Sequence, residues 1–106
     1  MDVDELSASV RRLADRVSHW TPSRWAASSA VSGTSRASLV HGLVQRIADA
    51  AADAEREPRR LVPRVAPDTV LADQLRVVAA DLTTSGAPGS VLAEAAQWVR
   101  EVTRSL

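Results

Sequence analysis

Residues 3–20 read VDELSASVRRLADRVSHW, and this stretch decides the fold class. Val3, Leu6, Val10, Leu13, Val17 and Trp20 recur in alternating steps of three and four. At about 3.6 residues per turn, that spacing lines all six along one face of a helix, the seam used for helix-on-helix packing. Asp2 and Glu5, three apart, resemble a capping box with Asp in place of Ser or Thr. The spacing predicts a helix from about Val3 to Trp20.

Three further segments repeat the pattern, and none sustains strand-like alternation. Thr21-Pro22 is a cap followed by a residue suited to a first helical position, so a short helical piece through Trp25 to Ala27 is expected. Ser28 to Thr34 is small and polar and reads as loop. A second long helix runs from near Ser35 to about Glu55, with Val40, Leu43, Val44, Ile47, Ala51 and Ala54 on its apolar side. Gly42, Arg46, Asp49 and Asp53 lie opposite. Glu57 to Pro67, EPRRLVPRVAP, holds three prolines and cannot be helical throughout. It reads as an extended connection with Leu61, Val62 and Val65 packed onto the bundle. Asp68 then caps a third helix ending near Leu82, with Leu71, Leu75, Val78 and Leu82 inward. After the break at Thr83 to Gly89, Ser90 caps a fourth, with Leu92, Ala95, Val99, Val102 and Leu106 inward and Val91 and Trp98 widening the stripe. The expected fold is all-α: a four-helix bundle, mostly antiparallel, with a Pro-rich connection between helices two and three.

Composition bounds the rest. The 106 residues, 11.3 kDa, fit a single domain. A chain of that mass should fold to ~5,700 Å² of surface from ~16,000 Å² unfolded, enough burial for one core. Without Cys there is no disulfide framework, thiolate metal site or thiol nucleophile. No apolar run approaches the ~18–20 residues of a membrane span, and the acidic start is unlike a secretory signal. A cytoplasmic protein is expected. Lys, Asn, Phe and Tyr are absent, which points to a high-GC bacterial genome and leaves Arg as the sole solvating base. Thirteen Arg balance thirteen acidic residues.

Few residues suggest chemistry. His41 lies at the edge of the second helix's stripe, beside Ala37 and Ala48, either as a boundary residue bonded to a neighbour or as a ligand in a groove. Gln74 and Asp81, seven apart, stack within the wide apolar side of the third helix. They either fix register against a neighbour or line a polar pocket facing His41. Arg59, Arg60 and Arg64 form a basic cluster on the Pro-rich connection, a candidate grip for phosphates or a partner protein. A neutral chain without interleaved aromatics argues against nucleic acid. Arg11, Arg12 and Arg16 read as a solvated face with Asp15. Trp20 and Trp98 read as core, and Trp25 as a contact for a partner or ligand. There is no nucleophile elbow or phosphate loop, and no second His stands near His41, so no metal or cofactor is expected.

Leu13 to Ala54 resembles the opening of DinB-like helical bundles, including relatives of mycothiol-dependent maleylpyruvate isomerase. There a first helix leads through Trp-containing loop sequence into a second helix carrying text like Leu39-Val40-His41-Gly42-Leu43. The resemblance implies a four-helix bundle and makes His41 the counterpart of one metal-binding His. The family completes its metal site with two further His, usually four apart on a later helix, and this chain has only His19 besides. The resemblance therefore bears on the fold more than on a metal or thiol-transfer activity.

The expected function is a small non-catalytic bundle acting through self-association, a dimer foremost, or through another protein. A degenerate DinB-like bundle binding a metal or small ligand near His41 is the alternative. The residues lean away from an enzyme without deciding the matter.

Overall fold

The computed structural model describes residues 2–29 and 33–106, and these form five helices and no strand. They are α1 (Asp2–Val17), α2 (Pro22–Ala26), α3 (Arg36–Ala54), α4 (Val70–Thr84) and α5 (Gly89–Ser105). The stripes read from the sequence form one continuous core: Leu6, Val10, Leu13, Val17 and Trp20 from the first segment, Val40 to Ala51 from α3, Leu71 to Leu82 from α4, and Leu92, Ala95 and Val99 from α5. Val3, 43% exposed at the start of α1, and Ala54, at the end of α3, fall outside it. The accessible surface of 5900 Å² agrees with a chain of this mass buried around one core.

Local chemistry sets the boundaries. Thr21 is held extended by the following Pro22 and caps α2 through its hydroxyl, which accepts from the Arg24 amide at 3.3 Å. The first helix consequently stops at Val17, and Trp20 enters the core from a turn. Ser35 caps α3, its hydroxyl accepting from the Ser38 amide at 3.0 Å. At the other end the Glu57 amide reaches the Ala52 carbonyl and the Arg56 amide that of Asp53. This is the Schellman pattern, and it places Arg56 at φ 58°, where glycine is the usual residue. An isolated bridge between Ser28 and Ser35 narrows the expected 28–34 loop, of which Ala30, Val31 and Ser32 lie outside the described residues.

Two expected caps are displaced. Asp68 is not the cap of α4: its carboxylate pairs with Arg64 at 3.2 Å, and Thr69 takes the cap position without a side-chain bond. Ser90 lies inside α5, which Pro88 opens by accepting from the amides of Val91 and Leu92. A Cβ on Gly89 would collide with the Asp2 carboxylate, so the glycine admits an anion beside the amino end of α5, where the helix dipole favours it. Helix α4 also outruns its expected end by two residues. The Thr83 and Thr84 hydroxyls donate back to the Ala80 carbonyl at its close.

The expectation of mostly antiparallel neighbours needs correction. Helices α4 and α5 each pack against both α1 and α3. Asp2 meets Gly89 and Arg16 reaches the Thr103 carbonyl, so α1 and α5 run side by side in the same direction. Leu39 and Leu43 lie near Val102 while Ala54 lies near Val91, so α3 and α5 run oppositely. The cause is the Pro-rich connection. From Arg59 on Asp53, through Val62 on Gln45 and His41, to Arg64 on Ser38, it climbs back along α3 from its carboxyl end to its amino end. Five extended residues cover about 17 Å, and the fifteen helical steps from Asp53 to Ser38 cover about 22 Å. Side-chain reach makes up the difference. Helix α4 therefore starts beside the start of α3 and descends with it, carrying Asp81 to the neighbourhood of Ala48 and Glu55. A short turn would have made α3 and α4 antiparallel.

Candidate functional site

Three side chains converge on the backbone of this returning strap. Gln45 sits on the side of α3 that faces it. Its amide oxygen accepts from the Val62 amide at 2.8 Å, and its amide nitrogen donates to the Arg60 carbonyl at 2.9 Å and to Asp49 at 3.0 Å. Every direction of that amide but one lone pair is used. One turn earlier, His41 Nε2 lies 2.8 Å from the Val62 carbonyl. A carbonyl can only accept, so Nε2 is the donor, and Nδ1 is the nitrogen this bond leaves open. From α4, the Gln74 amide nitrogen donates to the Pro63 carbonyl at 3.2 Å.

The structure thus brings His41 and Gln74 together, on successive carbonyls of the chain itself. Asp81 does not join them. It lies two turns further along α4, exposed, at the rim of a cavity of about 420 Å³ between the strap and the Ala48–Glu55 face of α3. Among the described residues, no group of three His, Cys, Asp or Glu side chains could hold a metal ion. The residue that sequence reasoning missed is Gln45. Its signal was present: it stands four residues after His41 on the same helical side.

The arginine cluster is largely spent within the molecule. Arg59 makes a two-point contact with Asp53, at 2.9 and 2.7 Å, and holds that carboxyl below the usual carboxylate range through this hydrogen bond. Arg64 bonds Asp68 and the Ser38 hydroxyl. Arg60 makes no ion pair among the described residues. Of the apolar strap residues, only Val62 packs against the core, whereas Leu61 is 90% exposed and Val65 is 42% exposed. The hydrogen bonds that pull the Val62 backbone towards α3 turn its neighbour out.

Trp25, expected as a surface contact, is fully buried. It is the inward residue of the five-residue α2 and meets Trp20 edge-on, with ring centroids 5.0 Å apart. A chain without Phe or Tyr uses both indoles to fill that end of the bundle. The Arg24 and Arg36 guanidiniums lie over Trp20, and that of Arg46 lies 4.1 Å over Trp98, which is half-buried.

A second groove was not expected. Between the parallel α1 and α5, Ser9, Arg12 and Arg16 face Val99, Arg100, Thr103 and Arg104 around a cavity of about 350 Å³. Asp15 does not solvate these arginines, because it pairs with Arg76 of α4 at 3.1 Å. Compared with protein-family models, with curated proteins and with solved structures, the chain matches none of them.

Proposed function

We propose that the protein is a non-catalytic four-helix bundle of up–down–down–up order that works by associating with a second copy of itself, using the strap as the docking element. Leu61 carries the proposal. It is 90% exposed on a segment whose backbone is fixed on both sides by Gln45 and His41. A leucine on a slack loop can fold back onto the protein, whereas one held by its neighbours' hydrogen bonds stays available. Val65 on the strap and Val77 on α4, 59% exposed, add apolar surface near the point where Gln74 ties strap to helix. A net charge of zero gives two copies no long-range repulsion.

The test is native mass spectrometry and light scattering on untagged protein. The expected mass is twice the 11.3 kDa chain, and Leu61→Asp should return it to the single chain with the helical spectrum intact. A bare monomer at about 100 μM, where even weak dimers form, would overturn self-association and leave another protein as the partner. A dimer indifferent to Leu61→Asp would move the interface off the strap.

Kinship with DinB-like bundles is proposed at the level of architecture alone, on the likeness of Leu13 to Ala54, with Leu39 to Leu43 lying on α3. The bond from His41 Nε2 to Val62 leaves Nδ1 open, but among the described residues no group of three His, Cys, Asp or Glu side chains could hold a metal ion with it, so a metal role for His41 draws no support. With Arg59 and Arg64 paired to carboxylates, the strap offers nucleic acid little unspent charge. No helix of the described residues is long and apolar enough to cross a membrane, and a cytoplasmic setting is proposed with the Cys-free composition as its support.

A further inference from the structure

The α1/α5 groove carries an inference independent of the strap. Ser9, Arg12 and Arg16 occupy one stripe of α1 at steps of three and four, and Arg100 and Arg104 stand four apart on α5. Because the two helices run in the same direction, both arginine pairs border a single cavity. The acid that bonds into this set is Glu5, at 2.6 Å from Arg100. Arg16 donates to the Thr103 carbonyl, while Arg12 and Arg104 have no ion pair among the described residues. Like charges one turn apart repel, and here two such pairs face each other. Basic residues in a last turn complement the helix dipole, which accounts for Arg16 and Arg104 but not for Arg12 or Arg100.

The floor of the groove makes the second, separate observation. Ser9 is 4% exposed, and its hydroxyl is shielded from solvent with no hydrogen-bond partner among the described residues. A hydroxyl in a helix ordinarily bonds the carbonyl one turn back, and a buried one left unpaired is costly. Beside it, above the buried Val99, the arginine stems give the cavity apolar walls. An unsatisfied hydroxyl at the base, apolar walls and a guanidinium rim together describe a receptor for an oxyanion attached to a small apolar body.

We propose that the α1/α5 groove binds a small organic phosphate monoester. Arg12 and Arg104 clamp the phosphate, Ser9 donates to one of its oxygens, and the ester's apolar part lies along the arginine stems. Guanidinium groups suit this headgroup because they present paired donors to paired oxygens. The volume of about 350 Å³ is at the small end of ligand cavities, so a single ring or short chain fits.

The probe is phenyl phosphate, titrated by calorimetry against full-length protein, with inorganic phosphate and benzyl alcohol alongside. Phenyl phosphate should bind with Kd below about 1 mM, with each of the other two at least about tenfold weaker. The double variant Arg12→Gln/Arg104→Gln should weaken phenyl phosphate binding at least about tenfold, and Ser9→Ala about two- to fivefold. Arg60→Gln, on the strap beside α3 and outside this groove, should leave it unchanged. Circular dichroism melts of each variant establish that the bundle is intact. Absence of saturable binding up to about 10 mM would overturn the proposal. So would an equal loss in Arg60→Gln, which would reduce the effect to general charge, or inorganic phosphate binding as tightly as the ester.

Discussion

Replacing Gln45 by alanine should loosen the strap while leaving the helices folded. Alanine is the better helix former, so α3 itself loses nothing. What disappears is the pair of bonds to the strap backbone, from the Val62 amide at 2.8 Å and to the Arg60 carbonyl at 2.9 Å. At about 0.5–1.5 kcal/mol each, their removal costs ~1–3 kcal/mol. The bond to Asp49, within the same helix and partly solvated, adds little. The cost falls on a segment that buries only Val62, so the strap can open without unfolding the core. Amide hydrogen exchange reads this directly. The Val62 amide should exchange roughly thirtyfold faster in Gln45→Ala, the equivalent of about 2 kcal/mol, while core amides such as Val44 and Leu75 change by no more than the smaller global loss. Gln45→Glu separates the two halves of the bracket: it keeps the acceptor for the Val62 amide and removes both donors. Its Val62 amide should exchange at a rate between those of the wild type and Gln45→Ala. An unchanged Val62 rate in Gln45→Ala would refute the strap's dependence on this side chain. Equal acceleration of every core amide would show that strap and bundle open as one unit.

Arg56 holds a left-handed conformation at the end of α3, so Arg56→Gly should raise stability by about 1 kcal/mol in urea denaturation, whereas Gly86→Ala, at φ 81° after α4, should lower it by a similar amount. Leu75 is fully buried, and Leu75→Ala should cost about 2–5 kcal/mol in the same assay, while Leu61→Asp should stay within about 0.5 kcal/mol when measured on the monomer. Arg59 depresses the Asp53 carboxyl, so the pair favours the folded state above the unfolded carboxylate pKa and the contribution fades as pH falls through the lower folded value. Arg59→Gln should therefore move the Asp53 side-chain carbon titration upward into the ordinary carboxylate range, and an unmoved curve would mean the contact is not populated in solution.

The sequence by itself determined the elements and their inward faces. Val3 to Trp20, Val40 to Ala51, Leu71 to Leu82 and Leu92 to Val99 bury the residues their spacing selects, apart from Val3, because a 3.6-residue period leaves one side for a core. Thr21-Pro22 was legible as a cap and Ser35 as a helix start because each acts on an amide three residues on. What is decided at longer range was not legible. Trp25 looked available on a five-residue helix, but Trp20 and the bundle end enclose it. Asp15 looked like a partner for Arg12 and Arg16 until Arg76, sixty-one residues away, took it, whereas Asp68 lost the cap to Arg64 only four residues before it. His41 and Gln74 carried a real signal of polarity at the core boundary, but their partners are backbone carbonyls, and no side-chain pattern announces which carbonyl arrives. Only the path of the strap settled that. By returning along α3 it set the direction of α4, supplied the acceptors for His41, Gln45 and Gln74, and turned Leu61 outward. With α4 descending, α5 rises beside α1, and Arg12 and Arg16, expected on a solvated face with Asp15, border one groove with Arg100 and Arg104.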